Sequence, residues 1–259
     1  MTETDGAQAS TDDVPVDDRR RGRRSEAFWG RRKTRGLTAR KAALVETLLP
    51  QVRVPREGAV DPVGLFDRPV DAVHLEIGFG GGEHLAARAE AAPTTGFLGA
   101  EAFSNGVAKM LGEIEDRGLL NVRVHDEDAV DLLDRLLPGS LARIDLLYPD
   151  PWPKRRNWKR RFVNGRNLAR IARVLLPGGE FRFASDIEGY VNWTLRHAGA
   201  EPRLRWTAER AGDWGAPWPG WHRTRYEEKA LREGRKPAYL RFRRVDEGAP
   251  AASIPEEID

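Results

Sequence analysis

His74-Leu75-Glu76-Ile77-Gly78-Phe79-Gly80-Gly81-Gly82-Glu83 reads as a buried strand that runs into a glycine turn and then a helix. Glycines at such a junction take φ > 0 without steric cost and let the backbone approach a ligand closely. Downstream of residue 71, short apolar runs alternate with longer amphipathic ones, the pattern of βα units around a mostly parallel sheet. Strands are expected at 72–77, 96–101, 122–125, 143–148 and 180–185, with a last strand over Ala238–Arg244. Between them the spacing predicts helices at 83–91, 104–117, 129–137, 162–175 and 187–198, and one from Thr224 to about Glu233 that stops at Gly234. Ser104 is the expected N-cap of the second. The fold class that follows is α/β, a doubly wound, mostly parallel sheet with helices on both faces.

Outward from this body the text changes. Residues 201–222 hold Trp206, Trp214, Trp218 and Trp221 among glycines and prolines, which reads as an ordered insertion anchored by its aromatics. A short helix is expected at about 38–48, followed by a linker marked by Pro55, Gly58, Pro62 and Gly64. Residues 1–35 lack apolar periodicity and are expected to be a disordered arm, acidic and then basic; 246–259 is expected to be a disordered acidic tail. The chain thus divides into the arm 1–35, a helix and linker at 36–70, the α/β domain at 71–245 and the tail 246–259.

Composition narrows the function. With 259 residues the chain can bury a substantial core, and with no cysteine it has no disulfide, thiolate metal site or cysteine nucleophile. No basic-then-apolar leader opens the sequence, and no run of about 18 apolar residues interrupts it, so a cytoplasmic protein without a membrane span is expected. The net charge of +3 conceals an asymmetry. Neither 1–18 nor 246–259 holds a base, so all 43 Lys and Arg share the segment 19–245 with 29 of the 40 acids, a surplus of 14 positive charges. A body that basic suits a polyanionic partner, nucleic acid first. The five histidines, His74, His84, His125, His197 and His222, are scattered, and no metal site is expected from them.

The glycine turn carries a cofactor signature. A dinucleotide fingerprint needs G-x-G-x-x-G, but the place of its third glycine is taken by Glu83. Glu76, inside the strand, would repel a pyrophosphate and attract a cationic amino-acid moiety, such as that of S-adenosylmethionine. Glu101, at the end of the second strand, is placed to accept from ribose hydroxyls. After the third strand come Asp126, Glu127 and Asp128, any of which could meet an adenine amino group or cap the next helix; spacing does not choose among them.

Tyr148-Pro149-Asp150-Pro151-Trp152-Pro153 follows the fourth strand as a proline-stiffened loop that delivers Asp150 and Trp152 beside the cofactor. Rigid presentation suits a methyl transfer, whose barrier is lowered chiefly by alignment. Directly after it, Lys154, Arg155, Arg156, Lys159, Arg160 and Arg161 place six bases in eight positions around Trp158, a phosphate-binding strip with a stacking residue.

These motifs together resemble the bacterial tRNA (guanine-N7)-methyltransferase family: a Glu-Ile-Gly-x-Gly turn, an Asp-Pro-Trp-Pro-Lys loop with a basic run, a later Asp before a Tyr-bearing helix, and Thr-x-x-Glu near the end, matched over 72–244. The resemblance implies a seven-stranded Rossmann-like methyltransferase fold that binds S-adenosylmethionine through Glu76, Gly78, Gly80, Glu101, Asp128 and Asp150, with Asp150 catalytic. It further implies that Lys154, Asp186 and the run Thr224, Arg225, Tyr226 and Glu227 contact a tRNA substrate, methylated on N7 of guanine 46. Either Asp186 or Glu227 could accept from the guanine N1–H and amino group. A monomer or homodimer is expected, with no obligatory protein partner and no metal. Two departures stand out: Asn157 and Trp158 occupy a stretch where the family commonly has histidine, and Ser185 stands where threonine is common. The residues also admit methylation of another RNA, or an RNA-binding module that has lost catalysis.

Overall fold

A computed structural model describes residues 36–246. The expectations for the arm 1–35 and for residues 247–259 lie outside the described residues. Seven strands, β1 (Ala72–Ile77), β2 (Thr95–Ala100), β3 (Val122–His125), β4 (Leu141–Leu147), β5 (Leu175–Ser185), β6 (Leu204–Trp206) and β7 (Ala238–Arg244), form one sheet in the order β3-β2-β1-β4-β5-β7-β6. Every pairing from β3 to β5 is parallel, and β7 runs antiparallel between β5 and β6. The chain leaves β1 toward β2 and β3 and then returns to β4 on the other side. That reversal opens a crevice beyond the carboxyl ends of β1 and β4, where open α/β sheets bind their ligands.

Both faces are covered. Val73, Leu75 and Ile77 of β1 point into a core shared with Ile144 and Leu146 of β4, Phe181 and Phe183 of β5, and the helices α5 (Ala129–Arg135), α6 (Gly165–Val174) and α7 (Glu188–Gly199). The opposite face packs Phe97, Val122 and Val124 against α3 (Glu83–Ala91) and α4 (Ser104–Arg117), with α1 (Ala39–Thr47) and α2 (Leu49–Val52) laid over them. A final helix, α8 (Arg225–Arg232), precedes β7. Residues before the sheet are part of this body: Val54 and Val60 are buried, and bridges join Arg53 to Val124 and Val60 to Leu136.

Four local expectations need correcting. The stretch 201–222 is not wholly an insertion, because Leu204–Trp206 pairs with β7 as a three-residue edge strand. Strand β5 begins at Leu175 rather than 180, since Leu175 pairs with Leu141 across a register shift in β4. Helix α6 starts at Gly165, where the Asn164 side chain caps it by accepting from the Asn167 N–H. Ser104 is the first helical residue of α4 and not its cap; the Glu101 carboxylate takes that part, accepting from the Phe103 N–H.

Candidate functional site

At the end of β1 the chain turns on Gly78, Gly80 and Gly82, whose φ angles are 72°, 59° and 85°. Residues with a Cβ are strained there. A Cβ on Gly78 would meet nothing within 4 Å, so this part of the turn lies open, whereas the carbonyl of Gly80 sits 2.3 Å from where a Cβ on Gly106 would stand. The absence of a side chain at Gly106 is thus what lets α4 close against the turn. Glu101 ties the two together: one carboxylate oxygen accepts from the Gly80 N–H at 2.9 Å and the other from the Phe103 N–H at 2.9 Å. Burial pushes the Glu101 carboxyl above the usual range, opposed by those backbone donors.

These groups wall a cavity of about 890 Å³ whose lining includes Gly78, Gly80, Glu101, Asp128, Asp150 and Trp152. The three carboxylates left open by spacing separate here. Asp126 is held outside the cavity by Arg53 at 3.0 Å and Arg56 at 2.8 Å. Glu127 and Asp128 both line it, and Asp128 also caps α5 by accepting from the Val130 N–H at 3.0 Å. Glu76 is not on the lining. It is 5% exposed beneath the turn, and its Oε2 meets His84 Nδ1 at 2.8 Å, with the His84 ring packed against Trp221.

The proline loop after β4 is strained at two places. Tyr148 and Trp152 have φ of 49° and 42°, the two non-glycine residues with positive φ among those described. Asp150 lies between them on the cavity wall, exposed, and the guanidinium of Arg160 rests 4.9 Å from the Trp152 ring centre. The run that follows forms a 3-10 turn, Arg155–Arg160, with Lys154, Arg155, Arg156 and Lys159 turned to solvent and Arg161 buried.

The substrate-side residues fall into two groups. Arg225 and Tyr226 line the cavity: the Arg225 guanidinium stands 3.3 Å from a Cβ placed on Gly80 and 3.9 Å from Glu83. Lys154, Asp186, Thr224 and Glu227 do not line it. Asp186 pairs through Oδ2 with Arg235. Thr224 caps α8, accepting from the Glu227 N–H at 3.1 Å. Glu227 is 2% exposed, one oxygen accepting from Trp221 Nε1 at 2.6 Å and the other from the Tyr239 hydroxyl. Both oxygens of Glu227 are thus engaged within the protein, which leaves Asp186 as the freer of the two carboxylates expected to read guanine.

A family model described as a putative methyltransferase matches residues 70–240. A tRNA (guanine-N(7)-)-methyltransferase of Rhizobium meliloti (strain 1021) is 55% identical over 247 residues, 95% of this chain and 100% of that protein. One of Mesorhizobium japonicum is 56% identical over 225 residues, 86% of this chain and 97% of its own length. The chain belongs to the tRNA (guanine-N(7)-)-methyltransferase family. Among solved structures, the 16S rRNA methyltransferase KamB aligns at a TM-score of 0.46 with 18% identity, covering 68% of this chain and 89% of that one.

S-adenosylmethionine is the methyl donor of this family, and the residues present fit it. The open turn at Gly78, the half-buried carboxylate of Glu101 on the β2 end and Asp128 on the β3 end stand in the order in which an amino-acid moiety, a ribose and an adenine follow one another in the cofactor. Sequence reasoning overlooked several residues at this site. The Trp221 to Glu227 bond spans six residues and the Glu76 to His84 pair eight, each across a change from loop or strand to helix, where no single period relates the partners. The sequence puts Arg161 in the phosphate-binding strip, since a run of like residues carries no signal of which one turns inward.

Proposed function

We propose that the protein transfers the methyl group of S-adenosylmethionine to N7 of guanine 46 in the variable loop of tRNA, giving 7-methylguanosine. The observation that carries this reading is the strained loop: Asp150 and Trp152 stand on the wall of the cofactor cavity, and a solvent-facing basic run begins at the next turn of chain. The bound cofactor supplies an electrophilic methyl group on a sulfonium. Guanine N7 already bears a lone pair, so the reaction asks the protein for no general base, metal or covalent nucleophile.

What remains for the chain is alignment and charge. We assign the cofactor to Gly78, Gly80, Glu101, Asp128 and Asp150 on the cavity wall, with Glu76 beneath the turn that takes the amino-acid moiety and the Asp150 carboxylate facing the positive charge that passes from sulfonium to purine. Asp186, through the oxygen not paired with Arg235, accepts from the guanine N1–H and amino group, an arrangement adenine cannot match. Arg225 and Tyr226 lie on the cavity wall toward the RNA, Thr224 and Glu227 hold the start of α8 in place, and Lys154 with its neighbours meets phosphates. We read the protein as a cytoplasmic enzyme, a monomer or homodimer, needing neither metal nor a protein partner.

Incubation with labelled S-adenosylmethionine and an unmodified tRNA transcript, followed by nucleoside analysis, tests this. The expected product is 7-methylguanosine in the variable loop. Label in a different nucleoside would move the chemistry to another acceptor, and no label despite binding of S-adenosylhomocysteine would favour an RNA-binding module.

A further inference from the structure

Arg161 closes the basic run in sequence but leaves it in space. The residue is 5% exposed, and among the described residues no carboxylate pairs with it. Its Nε donates to the Pro151 carbonyl at 2.8 Å and its Nη1 to the Gly189 carbonyl at 3.4 Å. The guanidinium carbon lies 5.0 Å from the ring centres of Trp158 and Tyr190 and 4.9 Å from that of Trp193. A cation withdrawn from water without a counter-charge is costly, and here three aromatic faces and two carbonyls offset that cost. The rings are themselves fastened to the chain just after Arg161: Trp193 Nε1 donates to the Val163 carbonyl at 2.7 Å, and the Tyr190 hydroxyl accepts from the Val163 N–H at 3.3 Å.

The carbonyl that Arg161 holds is that of Pro151, between Asp150 and the strained Trp152. Left-handed backbone at non-glycine residues is strained and persists only where the surroundings impose it. We propose that Arg161 is a positioning residue for methyl transfer, fixing the Pro151 carbonyl against α7 and so setting where Asp150 and Trp152 stand, and that it does not bind RNA phosphate. This rests on the functional reading above for the step it serves.

Lysine at 161 keeps the charge but lacks the planar fork that addresses two carbonyls between rings. For Arg161→Lys the expected result is a kcat lower by about ten- to a hundredfold, the size of loss a small misplacement produces, with KM for tRNA and the salt dependence of tRNA binding unchanged. Hydrogen exchange should quicken in the peptide 148–162 and nowhere else. Arg156→Ala, at an exposed base of the same run, should instead weaken tRNA binding and lower the salt slope by about one. If Arg161→Lys behaves like Arg156→Ala, or leaves both kcat and exchange as in the wild type, the proposal is overturned. Should the lysine variant not fold, Trp193→Leu removes one supporting ring and is expected to lower kcat and quicken the same exchange; no change in either would equally overturn it. The exchange measurement is independent of substrate, so failure of the wild type to form 7-methylguanosine would count against the functional reading alone.

Discussion

Glu101 shows how much one carboxylate can join. It bridges the glycine turn to the start of α4 through two backbone donors while lining the cavity. Because burial raises its pKa, it protonates at a higher pH than a free glutamate, and cofactor affinity is expected to fall on acidification through that raised value. Glu101→Gln keeps the shape but surrenders one acceptor and the charge. It should weaken S-adenosylhomocysteine binding by about tenfold or more, in line with about 1.5–3 kcal/mol for a hydrogen bond to a charged group, and flatten the acid limb of the affinity profile. Calorimetric titration across pH checks both; an unaltered profile would remove Glu101 from the site. Strand-end acids such as Glu101 were legible in the sequence because each follows a short apolar run directly. The role of Glu227 was not: the sequence sets it among the substrate contacts, whereas both its oxygens are engaged by Trp221 and Tyr239 within the protein.

Among the elements, α4 makes the sharpest contrast within one helix. A Cβ on Gly106 would stand 2.3 Å from the Gly80 carbonyl, while one on Gly112 would meet nothing within 4 Å. Gly106→Ala should therefore destabilise the fold by about 1–3 kcal/mol, as overpacking does, and weaken cofactor binding by displacing the turn. Gly112→Ala should stabilise it by about 0.5–1 kcal/mol, through helix propensity alone. Denaturant unfolding of the two variants decides the matter, and changes of the same sign would contradict the packing described. Element type was readable wherever periodicity ran long enough, as in α4 or β1. It failed at β6, where Leu204-Arg205-Trp206 is too short to show alternation and lies in a tryptophan-rich stretch. It also failed at the start of α4, where a side chain three residues upstream does the capping.

Taken whole, the molecule keeps several ionisable groups out of water on the α3 side of the sheet. His74 is half-buried beside Arg143, Arg88 and Arg182, with Asp145 opposing them, and loss of hydration pushes its pKa down to about 3. The unfolded chain binds this proton near pH 6.5 and the native one only near pH 3. Between those values the unfolded state holds more protons, so stability falls as pH is lowered through the window, by at most about 1.4 kcal/mol per unit. His74→Leu is expected to make thermal stability less sensitive to pH between 6.5 and 4, leaving a residual slope from His125, which is also lowered by burial; an unchanged slope would place the acid sensitivity elsewhere. The charge surplus of the body was plain from composition, but which bases face outward was not, as Arg161 illustrates.

We propose that this crevice aligns a sulfonium methyl with N7 of one guanine. Two tRNA transcripts, identical but for guanosine or 7-deazaguanosine at position 46, put it to the most direct test with labelled S-adenosylmethionine. Replacement of N7 by a C–H removes the accepting lone pair and alters little else. The guanosine transcript should be methylated and its 7-deaza counterpart not; equal labelling of both would exclude N7 as the acceptor.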